Sequence, residues 1–306
     1  MTLIPVAAPD FRSGFVALVG RPNVGKSTLF NQLIGQKVAI TSPVVQTTRN
    51  RLRGILTTET AQFIFVDTPG IHKPHHALGQ VLVSNAKLAI NAVDVVVLVV
   101  DGSQPAGGGD RYVADLLKQT QTPVFLGLNK ADLIDDDEAH VRRLAESYQA
   151  LGDWPLLFFS ALMGEGVLPL QEQIQAHLPP GPYYYPADAI TDQPERFIMA
   201  ELIREQILHL THEEVPHSVA VTIDQIQEEE KLTRVLATIC VERNSQKRIV
   251  IGKGGQMLKA IGSEARQQMQ KLINGHVYLE LFVKVRPKWR QSRLRLAEFG
   301  YRVEAD

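Results

Sequence analysis

The chain has 306 residues, 44% of them apolar and 21% charged, with a net charge of −1 and a single cysteine. That size and composition suffice for two packed domains, while a lone Cys240 excludes an internally disulfide-built scaffold and fits a reducing cytosol. The longest apolar run, Val93 to Val100, is short and carries Asp94, and Met1 to Asp10 has no basic segment leading into an apolar core, so neither a membrane span nor an export leader is expected.

The near-neutral total hides an asymmetry. From Lys231 onward there are 16 Lys and Arg against 6 Asp and Glu, a balance of +10, which leaves −11 for Met1 to Glu230. A basic end of this kind is suited to a polyanion, with nucleic acid the leading candidate and an anionic lipid surface the other.

In chain order, Phe15 to Val19 predicts a buried strand that runs into Gly20-Arg21-Pro22-Asn23-Val24-Gly25-Lys26-Ser27 and a helical run from Thr28 to Ile34. The eight-residue stretch fits Gly-x₄-Gly-Lys-Ser. Its glycines let backbone N–H groups turn toward phosphates, the helix N-terminus adds positive potential, Lys26 supplies a point charge and the Ser27 hydroxyl can ligate Mg²⁺. The polar segment Thr41 to Arg49 has no apolar periodicity. A threonine there, Thr48 in preference to Thr47, can complete a Mg²⁺ sphere when a triphosphate is bound.

Phe63 to Val66 predicts a strand ending in Asp67-Thr68-Pro69-Gly70. Asp67 can hold the Mg²⁺ shell through water and the Gly70 N–H can approach a γ-phosphate, which makes this segment a switch. Ile71 follows, and an apolar side chain cannot orient an attacking water, so the catalytic group is left unassigned and slow intrinsic hydrolysis is expected. His72, His75 and His76 lack a Cys or carboxylate cluster and fall on this switch, so they are not read as a metal site.

Val95 to Val100 and Val124 to Leu128 predict further strands, the second ending in Asn129-Lys130-Ala131-Asp132. The Asp132 carboxylate suits the ring N–H and exocyclic amine of guanine and would clash with adenine's ring acceptor. Lys130 can lay its stem over the base, and Asn129 can tie this loop to the phosphate loop. Leu156 to Phe159 is the next strand, and Ser160-Ala161 after it can offer a backbone N–H to the base carbonyl. Short buried strands alternating with crossover segments predict a mostly parallel, doubly wound α/β sheet with ligand loops at the strand C-termini.

Four prolines from Pro179 to Pro186 break any helix and mark residues 179–194 as a linker, whose three tyrosines either pack on a surface or ride on extended chain. Beyond it, Glu195 to Leu210 carries a helical stripe of Met199, Ile203, Ile207 and Leu210. Val219 to Ile226 and Leu232 to Val241 alternate as strands, a helix is expected from about Gln256 to Ile273, and a strand from Val277 to Val285. In the loop Gly252-Lys253-Gly254-Gly255 the glycines admit a phosphodiester and Lys253 adds charge, flanked by Lys247, Arg248 and Lys259. A second basic group, Arg286, Lys288, Arg290, Arg293 and Arg295 around Trp289, is expected to combine charge with base stacking.

The four motifs of residues 12–178, in this order, resemble the GTPase superfamily, which implies GTP and GDP as ligands with Mg²⁺. In related GTPases with asparagine at the position of Asn23, that residue helps bind K⁺. Gly252 to Gly255 within an α–β–β–α–α–β order over residues 195–306 resembles a type II KH domain. The fold class implied is a P-loop GTPase α/β domain with a mostly parallel, doubly wound sheet, followed by a smaller α+β type II KH domain.

Together the two resemble the Era family of bacterial ribosome-assembly GTPases. Further similarity lies in Gln46-Thr47-Thr48-Arg49, in Gly70-Ile71-His72-Lys73-Pro74 with Leu78-Gly79, and in Val283-Lys284-Val285 leading to Trp289-Arg290, with Pro287 departing from an expected charged residue. The resemblance implies a monomer that binds the 3′ end of small-subunit (16S) ribosomal RNA, assists 30S assembly, and is cytoplasmic with some peripheral association on the inner membrane. Two other readings remain open: an RNA-binding module whose nucleotide only stabilises the fold, and a GTPase acting on tRNA or membranes without RNA specificity.

Overall fold

The computed structural model describes residues 4–44, 47–72, 77–135 and 137–301; Gln46, Lys73, Pro74, His75 and His76 lie outside them. Six strands, β1 (Arg12–Val19), β2 (Leu52–Thr57), β3 (Ala61–Asp67), β4 (Val95–Asp101), β5 (Val124–Asn129) and β6 (Leu156–Phe158), form one sheet in the order β2-β3-β1-β4-β5-β6. All neighbours are parallel except the β2–β3 hairpin. Helices α1 (Lys26–Ile34), α2 (Ala77–Asn91), α3 (Gly108–Leu117), α4 (Glu138–Gln149) and α5 (Val167–His177) connect the strands. The central strands are apolar on both faces because both are covered: Val16 and Leu18 enter one core cluster, Ala17 and Val19 the opposite one.

β2 is a strand the apolar runs do not reveal. Leu52, Ile55 and Leu56 are interrupted by Arg53 and Gly54, and the strand exists because β3 supplies a template for pairing. Gly54 is required by close approach: a Cβ there would come 2.4 Å from Phe30 Cζ and 2.8 Å from Ile34 on α1.

The proline-rich segment is bonded to this sheet. Ser13 N–H donates to Pro179 O, Gly181 N–H to Phe11 O, and Ile55 N–H to Ile190 O. Gln62, fully buried, receives the N–H groups of Tyr184 and Tyr185 on one amide oxygen and donates to Tyr185 O. Tyr183 stacks on Phe11 with centroids 4.2 Å apart, so the tyrosines pack on a surface and the chain covers part of an otherwise open sheet edge.

The second unit contains α6 (Glu195–Leu210), a single turn α7 (Val215–Ser218), β7 (Ala220–Glu228), β8 (Thr233–Val241), α8 (Asn244–Ile251), α9 (Gln256–Leu272), β9 (Val277–Val285) and α10 (Arg293–Glu298). Its sheet has the order β7-β8-β9, the first pair antiparallel and the second parallel. Of the expected stripe on α6, Met199, Ile203 and Ile207 are buried and Leu210 is half-buried, while Arg204, Glu205 and Gln206 on its other side are buried too. An amphipathic helix becomes enclosed when it lies between two structures, and here the second is the part of the first unit that carries Lys37, Thr41 and Thr47. Among the described residues no helix is long and apolar enough to cross a membrane.

A third core cluster joins Leu78 and Leu82 of α2 to Ala220, Cys240, Trp289, Leu296 and Tyr301. This corrects the assignment of Trp289 to base stacking. Its side chain is 0% exposed, its indole N–H donates to Ser218 O at 2.9 Å, and Phe299 and Tyr301 pack on the ring at centroid distances of 5.2 and 5.8 Å. The aromatic residue in a basic run is a core anchor for the segment after β9. Trp289→Ala is accordingly predicted to cost about 3–5 kcal/mol of stability in urea unfolding. A variant that unfolds like the parent but loses RNA affinity would restore the stacking role.

Candidate nucleotide and RNA sites

β1 ends at Val19 and α1 begins at Lys26, with the loop between them shaped by three left-handed or extended positions. Gly25, at φ 95°, caps α1, and a Cβ on it would strike the Asn129 amide nitrogen at 2.1 Å. Asn23 is left-handed at φ 64°, and its amide donates to Pro43 O at 2.6 Å. Arg21 pairs with the buried Asp110 of α3 at 2.6 Å, and Pro22 lies under Gly70, whose Cβ would come 2.6 Å from the Pro22 nitrogen. Val24 is buried beneath the loop, and Thr28 joins Pro22, Asn23, Gly25, Lys26, Ser27, Thr41, Ser42, Thr47, Thr48 and Gly70 around a narrow cleft of about 60 Å³.

The Lys26 ammonium donates to Gly20 O at 3.2 Å and Arg21 O at 2.8 Å. Burial lowers it to about 8, against the attraction of Asp67. Asp67 is itself fully buried at the end of β3, and burial raises its carboxyl above the usual range, opposed by Lys26 and by the hydroxyls of Ser27 and Thr48. Ser27 Oγ lies 2.7 Å from Asp67 Oδ2, Thr48 Oγ1 lies 3.0 Å from the same oxygen, and the two hydroxyls are 2.9 Å apart. Asp67 Oδ1 is buried with no hydrogen-bond partner among the described residues.

Two hydroxyls and a carboxylate with a spare buried oxygen form a hard-oxygen donor set that fits a hydrated Mg²⁺. Thr47 points elsewhere: its hydroxyl donates to Val44 O at 2.6 Å. Thr68 Oγ1 donates to Leu18 O at 2.8 Å and, with Pro69, carries the chain from β3 to Gly70. Ile71 is 1% exposed in the core, and its N–H bonds to Gly20 O at 3.1 Å, so its side chain is turned away from the phosphate cleft. His72 has Nδ1 3.1 Å from Gly70 O, and no metal-binding cluster of His, Cys, Asp or Glu occurs among the described residues.

At the base end, the Asn129 amide nitrogen donates to Val24 O and its oxygen accepts from Ala161 N–H, both at 2.8 Å. One side chain thereby locks the phosphate loop, β5 and the Ser160-Ala161 turn together. Lys130 is left-handed at φ 65°, and its ammonium reaches Asp101 at 2.5 Å. Although burial opposes it, the bonds from Lys130 and Ser103 hold the Asp101 carboxyl below the usual range. Asp132 sits exposed in a single 3-10 turn, Ala131–Leu133, and caps no helix; α4 is capped by Asp137. Asp101 is a residue the sequence reading missed, and its place at the C-terminal end of β4 is the signal that could have found it.

The second site lies between α8 and α9. Gly252, Gly254 and Gly255 have φ of 74°, 60° and 79°, and a Cβ at Gly254 or Gly255 would meet nothing within 4 Å, so this backbone is bare to solvent. Lys253, Arg248 and Lys259 are exposed around it and Lys247 is half-buried. Beside the loop runs a groove of about 470 Å³ between α9 and β9, lined by Leu258, Gly262, Ser263, Arg266, Leu279 and Glu280 among others. These were not foreseen, although Leu258, Gly262 and Arg266 recur every four residues along one helix face. Lys288 is exposed and left-handed at φ 53°, whereas Arg290 is committed to Glu242 at 2.6 Å.

Comparison with known proteins agrees with both halves. Residues 15–130 match the 50S ribosome-binding GTPase family model and residues 214–290 the KH domain model. GTPase Era of Nostoc sp. is 67% identical across 98% of this chain and 93% of its own length. GTPase Era of Crocosphaera subtropica is 65% identical across 99% and 97%. The solved structure of Era in complex with MgGDPNP and nucleotides 1506–1542 of 16S ribosomal RNA has a TM-score of 0.92 at 38% identity, covering 95% of this chain and 99% of that one. An Aquifex aeolicus Era variant bound to GDP and AlF₄⁻ gives 0.92 at 39%. With likeness of this extent along nearly its whole length, the chain belongs to the Era family of GTPases, enzymes of GTP, GDP and Mg²⁺.

Proposed function

We propose that this chain is a GTP-timed RNA-binding protein: residues 12–178 bind and hydrolyse GTP, and residues 195–306 bind single-stranded RNA at the 3′ end of 16S ribosomal RNA during 30S assembly. The observation that carries this reading is the double engagement of the 41–49 segment. Thr48 meets Ser27 and Asp67 on the nucleotide side, and Thr41 meets Glu205 of α6 on the RNA side, its N–H bonding Glu205 Oε1 at 2.9 Å. A loop that responds to a γ-phosphate and touches the RNA-binding unit can relay nucleotide state. The protein acts as a cytoplasmic monomer that also rests peripherally on the inner membrane through its basic end.

In this reading the backbone of Gly20 to Thr28 would hold the phosphates, Ser27 and Thr48 would ligate Mg²⁺ and Asp67 would hold it through water, and Asp132 would read guanine. Lys253 and the flanking Lys247, Arg248, Lys259 and Lys288 contact RNA phosphates, and the groove beside α9 takes unpaired bases. Purified protein with saturating 16S 3′-end RNA and small subunits should turn over GTP, and Lys253→Ala with Gly254→Asp should remove RNA binding while leaving GTP affinity intact. Absence of turnover above blank would leave only a nucleotide-stabilised RNA binder.

Asp132→Asn should weaken GTP by roughly 10- to 100-fold, the worth of a charge-assisted hydrogen-bond pair, and favour xanthosine triphosphate. Unchanged GTP affinity in a competition titration contradicts the guanine contact. Asn23 stands where related GTPases use asparagine to help bind K⁺, and Ile71 cannot orient water, so K⁺ is a further activator in this reading. Hydrolysis should then run faster in K⁺ than in Na⁺, and equal rates exclude it.

A further inference from the structure

The segment that carries Thr48 is gripped on both sides by buried arginines. Arg204 of α6 is 0% exposed; one arm of its guanidinium donates to Thr47 O, the carbonyl immediately before Thr48, and the same arm pairs with Glu201. Arg49, immediately after Thr48, is 2% exposed. It donates to Val219 O at 2.5 Å, Pro216 O at 3.1 Å and His217 O at 3.4 Å, with Tyr301 Oη at 3.4 Å. Its guanidinium carbon lies 5.9 Å from the Trp289 ring centroid and 5.7 Å from that of Tyr301.

Burying a guanidinium is costly unless its donors are satisfied, and removing it afterwards strands the acceptors. For Arg49 the acceptors are backbone carbonyls of the turn that leads into β7, so its contacts fix geometry more than they balance charge, whereas Arg204 both pairs with Glu201 and holds Thr47 O. A guanidinium stays protonated at any physiological pH, so the grip does not titrate. Glu205 and His209 continue the contact toward the start of the loop: Glu205 takes Thr41 N–H on one oxygen and Lys37 at 2.6 Å on the other, and His209 Nε2 lies 2.9 Å from Thr41 O. The same aromatic pocket that receives Arg49 also packs Leu78 and Leu82 of α2, the helix following the Gly70 segment.

Resting on the reading above, we infer that Arg204 and Arg49 are positioning residues for GTP hydrolysis: by holding the backbone on either side of Thr48, the KH unit sets where the Thr48 hydroxyl stands relative to Ser27 and Asp67. The consequence is specific. A diphosphate does not call on Thr48, whereas a triphosphate with Mg²⁺ does. Losing the grip must therefore lower affinity for the triphosphate form and the rate of hydrolysis while sparing GDP. Because coupling between two binding sites is reciprocal, the same loss must erase the preference of RNA for the triphosphate form.

The test uses the full chain with Arg204→Met, which removes the donor and keeps an apolar stem, and with Glu205→Ala, which frees the Thr41 N–H at the start of the segment if the first variant does not fold. Affinities for GDPNP and GDP with Mg²⁺, kcat for GTP, and affinity for RNA nucleotides 1506–1542 of 16S in each nucleotide state are measured. GDPNP binding should weaken about tenfold or more, as for loss of a charge-assisted hydrogen bond, with GDP binding changed less than about twofold. kcat should fall, and the difference in RNA affinity between the two nucleotide states should vanish. Equal losses for GDPNP and GDP, or a retained RNA preference, would overturn the positioning role. A parent protein whose RNA affinity ignores the nucleotide would remove the timer reading itself, and the GDPNP-to-GDP ratio would still decide the role of Arg204.

Discussion

A carboxylate sealed inside the protein needs a cation or donors, and Asp67 is such a group. Its position at the end of β3 is set by the parallel pairing with β1, whose following loop leads into Lys26 and Ser27 at the start of α1. Ser27 and Thr48 share one of its oxygens and the other is buried without a partner among the described residues. Burial that raises Asp67 and lowers Lys26 makes an electrostatically unfinished site, one that gains most from a divalent ion and a polyanion arriving together. The nucleotide half is thus a pocket whose own groups cannot satisfy one another.

Thr48 belongs to this pocket only because its loop is brought there, and much of what holds the loop comes from the other half of the molecule. Burial of Arg204, Glu205 and Gln206 on α6 is unusual for charged and polar side chains. For Arg204 and Glu205 it is explained by Lys37, Thr41 and Thr47, which engage them from the first unit. Arg49, Trp289 and Tyr301 then join the end of the same loop to the sheet that carries the Gly252–Gly255 turn. The two units share one buried cluster, which includes Val38, Ala39 and Ile40 together with Leu202, Ile203 and Ile207. An interface that is both apolar and specifically bonded transmits displacement instead of absorbing it.

Much of this was legible in the residues themselves. Strand ends carry the phosphate, switch and base motifs because doubly wound sheets place loops there, so motif and fold reinforced each other. Gly252, Gly254 and Gly255 were legible because positive φ selects glycine. β2 was not, since Arg53 and Gly54 break the apolar run and the pairing with β3 is non-local. Trp289 misled for a similar reason: basic neighbours suggested a solvent face, but the chain after β9 folds back as α10 and buries the ring. Arg49 and Arg204 look like ordinary polar positions in one dimension, and only the packing of two units reveals them as buried donors.

The central claim is that the state of the nucleotide reaches the RNA-binding unit through Arg49 and the aromatic pocket around it. Trp289 reports on that pocket directly, since Trp154 is the only other indole in the chain. In a Trp154→Phe protein, replacing GDP by GDPNP in the presence of Mg²⁺ should change the emission of Trp289 as Arg49 and α2 shift against its ring. Identical emission spectra in the two states, with both nucleotides verified as bound, would contradict the account.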